Sequence, residues 1–264
     1  MGGLIDGSRL HRAGVAALAA SLAVSIPAVA QDLAPAPAAP VPAAIASPWP
    51  STAGWVVAGG VVLGSFLLDQ ETREELYLER PGEAQPLERI GNRFGNPLVG
   101  SSLIALGYAA GRATGRPGLA LASKRAAAGF LATGIVTQSL KWAVGRPRPE
   151  LGPDSDELRP GSLDSDHQAW PSGHTSAAFS LATSVAMESD NAWVGALAYG
   201  LAGVTGWSRI AADRHWTSDV VAGAVVGTLA TRATIRWLEA RQAGDETPAL
   251  AIGPGGVTLT LTLP

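Results

Sequence analysis

The sequence predicts an all-α protein, a helical bundle followed by a short C-terminal β-hairpin. Apolar segments of helical length succeed one another through the middle of the chain, and each is bounded by the Gly, Pro, Asn or Asp residues typical of helix ends. That middle has almost no strand signal, whereas residues 250–263 alternate around a Gly-Pro-Gly-Gly turn. The predicted helices are residues 96–111, 119–141, 175–187, 192–207 and 219–238.

The first thirty residues have the pattern of a secretory signal peptide. A basic region at residues 9–12 precedes the uncharged run 13–26, and Ala28 and Ala30 give the small-x-small pattern that predicts cleavage before Gln31. An uncleaved anchor helix is the alternative, but the run is short for a membrane span and a proline ends it. We therefore expect an exported protein of the periplasm or cell envelope, with membrane association left open.

Changes in composition divide the rest of the chain. Residues 31–50 are mostly Ala and Pro and predict an extended linker after the signal peptide, residues 1–30. The bundle is predicted over residues 51–240. It begins with an apolar stretch, residues 55–68, which is followed by a charged segment. Residues 241–264 form the tail that contains the predicted hairpin.

Composition also limits the classes of function. Of the 264 residues, 47% are hydrophobic and only 16% are charged, which suggests membrane association or unusually tight packing. The longest uncharged runs of the bundle fall short of the about 20 residues that span a bilayer, so a soluble or membrane-peripheral bundle is slightly favoured over a spanning one. The net charge of −3 predicts no nucleic-acid partner, and the absence of cysteine excludes disulfides, thiolate nucleophiles and Cys-bound metals.

The first two of three short polar segments lie at helix ends. One follows the end of a helix and is basic, and the other begins a helix and contains a histidine. Lys141 and Arg148 place cations at the end of a helix and just beyond it, a common arrangement that is weak evidence alone. Ser172, Gly173 and His174 begin an apolar helix, where free backbone N–H groups and the helix dipole favour an anion beside the histidine. A plain N-cap with a surface histidine would explain the second segment equally well.

The third segment pairs a histidine with a carboxylate. His215 and Asp219 are four residues apart, a spacing that predicts one helix face and hydrogen-bonding reach. A carboxylate on one ring nitrogen makes the other a better nucleophile or base, although an ordinary surface pair looks the same. Taken together, the three segments supply a nucleophile, a proton donor and a cationic clamp, the parts that phosphoryl transfer requires. The nearby cations should disfavour the charged form of His174 until a phosphate binds.

These segments resemble the signature of the type 2 phosphatidic acid phosphatase and vanadium haloperoxidase superfamily. That signature reads K-x6-R-P, then P-S-G-H, then S-R-x5-H-x3-D, and the resemblance covers residues 141–219. It implies the helical bundle of that superfamily and a phosphohistidine mechanism. The matching positions are Lys141, Arg148, Pro149, the run 171–174, Ser208, Arg209, His215 and Asp219.

The resemblance also implies a role for each residue. His215 would attack phosphorus, Asp219 would orient its ring, and His174 would protonate the leaving oxygen and then activate water. A transition state that spreads negative charge over three oxygens suits clamping cations without a metal or cofactor. The phosphate would be held by Lys141, Arg148, Ser172, Gly173 and Arg209.

Two further residues near the signature receive no catalytic role. Arg146 is two residues off the spacing of the signature and is read as a rim residue or a structural cation. The polar loop 150–169 is expected to line the mouth of the site. Its His167 is read as non-catalytic, because no partner is found at a suitable spacing.

The resemblance predicts a metal-independent phosphatase of the cell envelope that acts on phosphate monoesters or diphosphates of lipids, in contact with a membrane surface or bilayer. A soluble periplasmic acid phosphatase acting on small phosphate esters is the first alternative. A vanadium-dependent haloperoxidase is less favoured, because such chains are usually much longer. A phosphate-binding or scaffold protein without activity is the least favoured, because every catalytic position of the signature is intact.

Overall fold

A computed structural model describes residues 51–78, 85–152, 157–242, 249–253 and 256–260. All of them belong to one of the two compact units of the chain, Ile45–Pro264. The predicted signal peptide, residues 1–30, and the predicted linker, residues 31–50, lie outside the described residues.

The described part of the bundle is helical, which confirms the predicted all-α class. Short 3-10 turns at Phe66–Leu68, Pro149–Leu151 and Ser165–His167, and a π-helical turn at Glu74–Leu78, join or extend its α-helices. The α-helices are α1 (Thr52–Ser65), α2 (Asp69–Arg73), α3 (Gln85–Phe94), α4 (Pro97–Ala113), α5 (Pro117–Val144), α6 (Gly173–Glu188), α7 (Ala192–Ala211) and α8 (Thr217–Gln242).

Local chemistry at the helix ends explains why the five predicted helices are present. The side chain of Asn96 accepts a hydrogen bond from the backbone N–H of Leu98 at 2.8 Å and caps α4. Asn191 caps α7 in the same way, through the backbone N–H of Trp193 at 2.9 Å. At the end of α5, Gly145 adopts a left-handed conformation with φ of 61°, which a side chain would disfavour.

Helix α3 was not predicted from the sequence. It is ten residues long and rich in charge, so it lacks the long apolar run by which the other helices were found. A helical signal was nonetheless present, because Leu87, Ile90 and Phe94 recur at i, i+3 and i+7.

Helix α6 lies at the centre of the bundle and packs against α5, α7 and α8. Small side chains form this centre, with Ala178 and Ala182 of α6 buried against Ala202 of α7. Gly223 and Gly227 let α8 approach the backbone of α6, because a Cβ at Gly223 would lie 2.7 Å from the carbonyl oxygen of Ser172. The remaining helices pack around this centre, α4 against α5, α3 against α7 and α1 against α8.

Hydroxyl groups join three helices inside the bundle. The Thr231 hydroxyl of α8 lies 3.1 Å from that of Thr133 in α5 and 2.6 Å from that of Ser180 in α6. All three side chains are buried. The bundle interior is therefore held by close packing of small residues and by interhelical hydrogen bonds.

Among the described residues, two stretches are long and apolar enough to cross a membrane. They are Thr52–Tyr77 and Pro117–Leu151, and only 11% and 28% of their apolar windows are buried inside the bundle.

In the C-terminal tail, β1 (Ala249–Gly253) pairs antiparallel with β2 (Gly256–Thr260). Leu250 is opposite Leu259 and Ile252 is opposite Val257. The residues between the strands, 254–255, lie outside the described residues, so the predicted hairpin stays a prediction.

Candidate active site

Lys141 lies in the last turn of α5, and its buried side chain reaches the start of α6. Its Nζ donates hydrogen bonds to the carbonyl oxygens of Gln168 and, at 3.4 Å, of Ala169. A Cβ added to Gly173 would lie 3.6 Å from Cε of Lys141. The ammonium group is therefore next to the helix start that was predicted to bind an anion.

Arg148 follows in extended chain and is held by the loop predicted to line the site. Its backbone N–H donates to the carbonyl oxygen of Asp166 at 2.9 Å, and its Nε donates to that of Ser165 at 3.0 Å. The loop thus positions Arg148 through main-chain carbonyls of its described residues.

Ser172 precedes α6 and is fully buried between α6 and α8. Its backbone N–H donates to the carbonyl oxygen of Asp219 at 2.9 Å, and its hydroxyl accepts from the Thr175 hydroxyl at 3.0 Å. Among the described residues, the side chain of Ser172 makes no capping hydrogen bond to the first turn of α6. Backbone N–H groups of that turn, together with the helix dipole, are therefore available to an anion.

His174 occupies that first turn and is half-buried. Its pKa is lowered to about 4, first by burial and then by the neighbouring Arg209, His215, Arg148 and Lys141. The predicted direction of this shift is confirmed, although burial contributes more than the cations. Gly95, after α3, packs closely here, because a Cβ at Gly95 would lie 2.8 Å from Cβ of His174.

His215 and Asp219 are in contact, as their spacing predicted. Nδ1 of His215 lies 3.3 Å from Oδ2 of Asp219, and both side chains are buried. The predicted shared helix face is wrong, because α8 begins at Thr217 and His215 lies in the preceding loop. Burial lowers the pKa of His215 to about 4, against the opposing effect of Asp219.

Both oxygens of the Asp219 carboxylate have further donors. Oδ2 also accepts from the backbone N–H of Trp216 at 2.9 Å, and Oδ1 accepts from Nη1 of Arg146 at 2.8 Å. Arg146 is therefore a structural cation behind the histidine pair, and its reading as a rim residue is wrong.

Arg209 ends α7 and is buried beside the two histidines. Its Nε donates to the Ser208 hydroxyl at 3.4 Å, and its Nη2 is buried without a hydrogen-bond partner in the described part of the chain. A buried N–H group that lacks an acceptor is costly, so an anion that supplied one would be favoured here.

His167 lies in the 3-10 turn of the loop that holds Arg148. It is buried, with its Nδ1 3.7 Å from Oδ2 of Asp164, which is longer than a hydrogen bond. Its non-catalytic reading stays a prediction.

The structure adds residues that the sequence analysis missed. Asp69 and Thr72 of α2 contact the first turn of α8 at Ser218 and Thr217, and Arg73 contacts Asp213 in the loop that carries His215. The only available signal was a charged segment directly after an apolar run, which does not identify a partner about 150 residues away.

The family model described as PAP2 superfamily matches residues 124–243. This range contains every residue of the three polar segments, whereas α1, α2 and α3 precede it.

Two relatives show the same kind of partial similarity. A protein named lipid A 1-phosphatase from Porphyromonas gingivalis is 37% identical over 39% of this chain and 21% of its own length. A protein named lipid phosphate phosphatase 1 from Arabidopsis thaliana is 32% identical over 38% of this chain and 39% of its own length. The chain therefore spans well under half the length of each relative. No solved structure gave a significant match.

Proposed function

We propose that this chain, whose residues 124–243 match the PAP2 superfamily model, is a membrane-associated lipid phosphate phosphatase of the cell envelope that works through a phosphohistidine. One observation carries the proposal. The buried His215–Asp219 pair lies with His174 and the cations around the start of α6: Lys141 and Arg148 lower the pKa of both histidines, and Arg209 lowers that of His174. The match of both relatives, each named as a lipid phosphatase, supports the substrate class.

His215 has the properties of a nucleophile at neutral pH. With a pKa of about 4 its ring is uncharged, and Nδ1–H can donate to Asp219, which leaves the lone pair of Nε2 free to react. In the proposed first step this lone pair forms a bond to phosphorus while the bond from phosphorus to the lipid oxygen breaks. The Asp219 carboxylate stabilises the positive charge that develops on the ring.

His174 completes the proton transfers of the proposal. In the free enzyme its pKa of about 4 leaves it neutral at pH 7. A bound phosphate brings negative charge next to the ring, which favours the protonated form and raises that pKa. The protonated ring then gives its proton to the departing lipid oxygen. In the second step the neutral ring accepts a proton from water, whose oxygen attacks phosphorus, breaks the bond to Nε2 and releases phosphate.

The cations supply the transition-state stabilisation in this proposal. Arg209 has a buried Nη2 without a partner among the described residues, and phosphate oxygens suit a guanidinium well. Lys141 adds a charge beside Gly173, where the first-turn N–H groups of α6 point. Since the described residues include no group of three or more His, Asp or Glu side chains that could hold a metal, we propose that these cations act without one.

The outer surface of the bundle supports residence in a bilayer rather than the soluble alternative. Large apolar side chains project outward from α1, α4 and α7, while the interior contains Ala, Gly, Ser and Thr. Small interfacial residues and interhelical hydroxyl bonds are typical of helices that pack within lipid. Exposed examples are Leu63, Leu67, Leu98, Leu106, Trp193 and Leu197.

Two cavities that share lining residues extend from Lys141 toward this apolar surface and together form a groove. The smaller, of about 230 Å³, is lined by Lys141 and Gly173 and also by Phe130, Gly134 and Gln138. A larger cavity of about 760 Å³ between α4 and α5 shares the latter three residues and is lined mainly by apolar side chains. We propose that the groove holds the hydrocarbon tail of the substrate while its phosphate lies at the cations.

Phosphate release from a substrate panel tests the proposal. Purified protein in detergent or liposomes is offered phosphatidic acid, an isoprenyl diphosphate, a lipid A phosphate and soluble phosphate esters, each with and without EDTA. We expect higher kcat/KM for at least one lipid, unchanged rates in EDTA, and inhibition by vanadate, which mimics the five-coordinate transition state. Loss of activity on chelation, restored by a divalent ion, would contradict the metal-independent mechanism, and preference for soluble esters would contradict the lipid specificity.

A further inference from the structure

Helix α2 lies outside the matched domain and yet contacts the loop that carries the proposed nucleophile. On the basis of the proposed function, we propose that Asp69, Arg73 and Arg146 are positioning residues. Asp69 and Arg146 hold the Asp219 carboxylate, Arg73 holds the loop, and His215 is thereby kept with its Nε2 toward the phosphate.

The Asp69 carboxylate joins α2 to the first turn of α8. Its Oδ1 accepts from the backbone N–H of Ser218 at 2.8 Å, and its Oδ2 accepts from the Ser218 hydroxyl at 2.7 Å. Asp69 thus caps the helix that begins immediately after His215, although it lies about 150 residues away in the sequence. Oδ2 also accepts from Nη2 of Arg146 at 2.8 Å.

Arg146 transmits this constraint to the histidine pair. Its Nη2 is bound to Asp69, and its Nη1 donates to Oδ1 of Asp219 at 2.8 Å and to the Ser218 hydroxyl at 2.6 Å. The guanidinium also lies 4.9 Å from the ring centre of Phe66 and 5.3 Å from that of Trp216. The hydrogen bonds and the two aromatic rings hold the planar guanidinium in one position, and the guanidinium in turn holds Asp219 in one orientation. A lysine ammonium, which is not planar, would not reproduce this.

A second ion pair holds the other end of the same loop. Arg73 donates to Asp213 through Nε at 2.7 Å and through Nη2 at 2.8 Å, and it stacks 5.6 Å from the ring centre of Trp216. Asp213 has a left-handed backbone with φ of 54°, an unfavourable conformation for a non-glycine residue that the ion pair helps to hold. The hydroxyl groups of Thr72 and Thr217 form a further hydrogen bond between α2 and the start of α8, directly after the loop.

Burial of these charges is better explained by positioning than by stability alone. Ion pairs removed from water gain little net stability over apolar side chains of the same size, because desolvation offsets their attraction. A network fixed by two arginines instead restricts the geometry of a carboxylate that contacts His215. Partners that orient metal-ligating histidines from behind typically change activity about 10- to 100-fold when lost, and we expect a similar effect for partners behind a nucleophilic histidine.

Single-turnover phosphorylation separates positioning from folding. Asp69→Asn, Arg146→Lys and Arg73→Lys are prepared with full-length protein in detergent, and formation of the acid-labile phosphoenzyme from p-nitrophenyl phosphate is followed by rapid quench. The amplitude counts correctly folded sites, and the rate constant reports the alignment of His215. We expect a rate constant lowered by about 10- to 100-fold for Asp69→Asn and Arg146→Lys, less for Arg73→Lys, with amplitudes near those of the wild type.

Arg125→Lys is the matched control, because Arg125, like Arg146, is a half-buried arginine paired with two carboxylates, Glu188 and Glu239, both at 3.3 Å. Its rate constant should equal that of the wild type. Reduced amplitude with an unchanged rate constant in the Asp69 and Arg146 variants would show a merely structural role and overturn the inference. Absence of a phosphoenzyme in the wild type would instead overturn the proposed function itself. Should Arg146→Lys fail to fold, Asp69→Asn decides the outcome.

Discussion

The loop end of the bundle and its outer surface distribute polarity in opposite ways. At the loop end charged and polar groups are buried, with Asp219 0% exposed and both Arg209 and His215 4% exposed. On the outer surface large apolar groups are exposed, with Leu67 at 85% and Trp193 at 79%. Soluble proteins show the reverse of both patterns. The contrast fits the proposed function. In that proposal the loop end binds a phosphate, and the outer surface contacts hydrocarbon.

The interior between these regions explains how both can coexist. Ala and Gly residues bring α5, α6, α7 and α8 close together, and the hydroxyls of Thr133, Ser180 and Thr231 bond across them. Because small residues fill the interior, the large apolar side chains lie on the outer surface. The polar helix ends come together at the start of α6. The predictions that follow test first the buried polar region and then its connection to the apolar surface.

The largest effect is expected for the proposed nucleophile. His215→Ala should lower kcat by about 10⁴-fold or more, because the residual rate would come from binding and the cations alone. Trapping with labelled substrate should give an acid-labile phosphoenzyme in the wild type and none in the variant. Equal trapping in His215→Ala would remove His215 from the mechanism.

A smaller and substrate-dependent effect is expected for the proposed general acid. His174→Ala should slow phosphoenzyme formation from alkyl phosphates by about 10² to 10⁴-fold, because a poor leaving oxygen needs a proton. Formation from p-nitrophenyl phosphate should fall far less, since its leaving group departs without protonation, while breakdown of the intermediate is slowed. An equal loss with both substrates would reduce the role of His174 to holding the phosphate.

The groove that joins the two regions can be blocked without disturbing the bundle. A Cβ added at Gly134 meets no heavy atom within 4 Å, so Gly134→Leu should fill the groove and leave the helices in place. We expect kcat/KM to fall about tenfold for a long-chain lipid phosphate, equivalent to about 1.4 kcal/mol of binding, with no change for p-nitrophenyl phosphate.

Gly203→Leu provides the control, since Gly203 in α7 has equally open surroundings and lies outside the residues that line the groove. A uniform loss on both substrates in Gly134→Leu, or none on the lipid, would mean that the tail binds elsewhere.

The smallest effect concerns stability and pH. Burial lowers the pKa of His174 and His215 from an ordinary 6.5 to about 4, so the folded protein binds fewer protons than the unfolded chain between these values. Their contribution to stability is therefore complete above about pH 6.5 and is lost as the pH falls toward 4. Thermal unfolding in detergent should show Tm decreasing over that window, with a shallower decrease in the double variant His174→Ala, His215→Ala. Identical slopes would show that other groups control the acid transition.

Much of the fold could be predicted because its signals are local. Asn96, Asn191 and Gly145 mark helix ends by their own side-chain and backbone chemistry, and the structure confirms them as caps. The 3.3 Å contact between His215 and Asp219 was likewise foreseeable, since a separation of four residues keeps two side chains close. Its basis was misjudged, because the helix start falls between the two residues and local spacing does not reveal a boundary hidden in a polar segment.

The sequence by itself determined five of the helices and the three polar segments, because capping, turn formation and charge placement depend on neighbouring residues. Only the tertiary structure decided the partner of Arg146, which lies between Asp69 and Asp219, since hydrogen bonds between residues so far apart leave no periodic trace. It also decided which side of each apolar helix is exposed. Helices with small, weakly polar side chains on one side and large apolar ones on the other carry little amphipathic contrast, so a buried helix and a lipid-facing helix read alike until their neighbours are known.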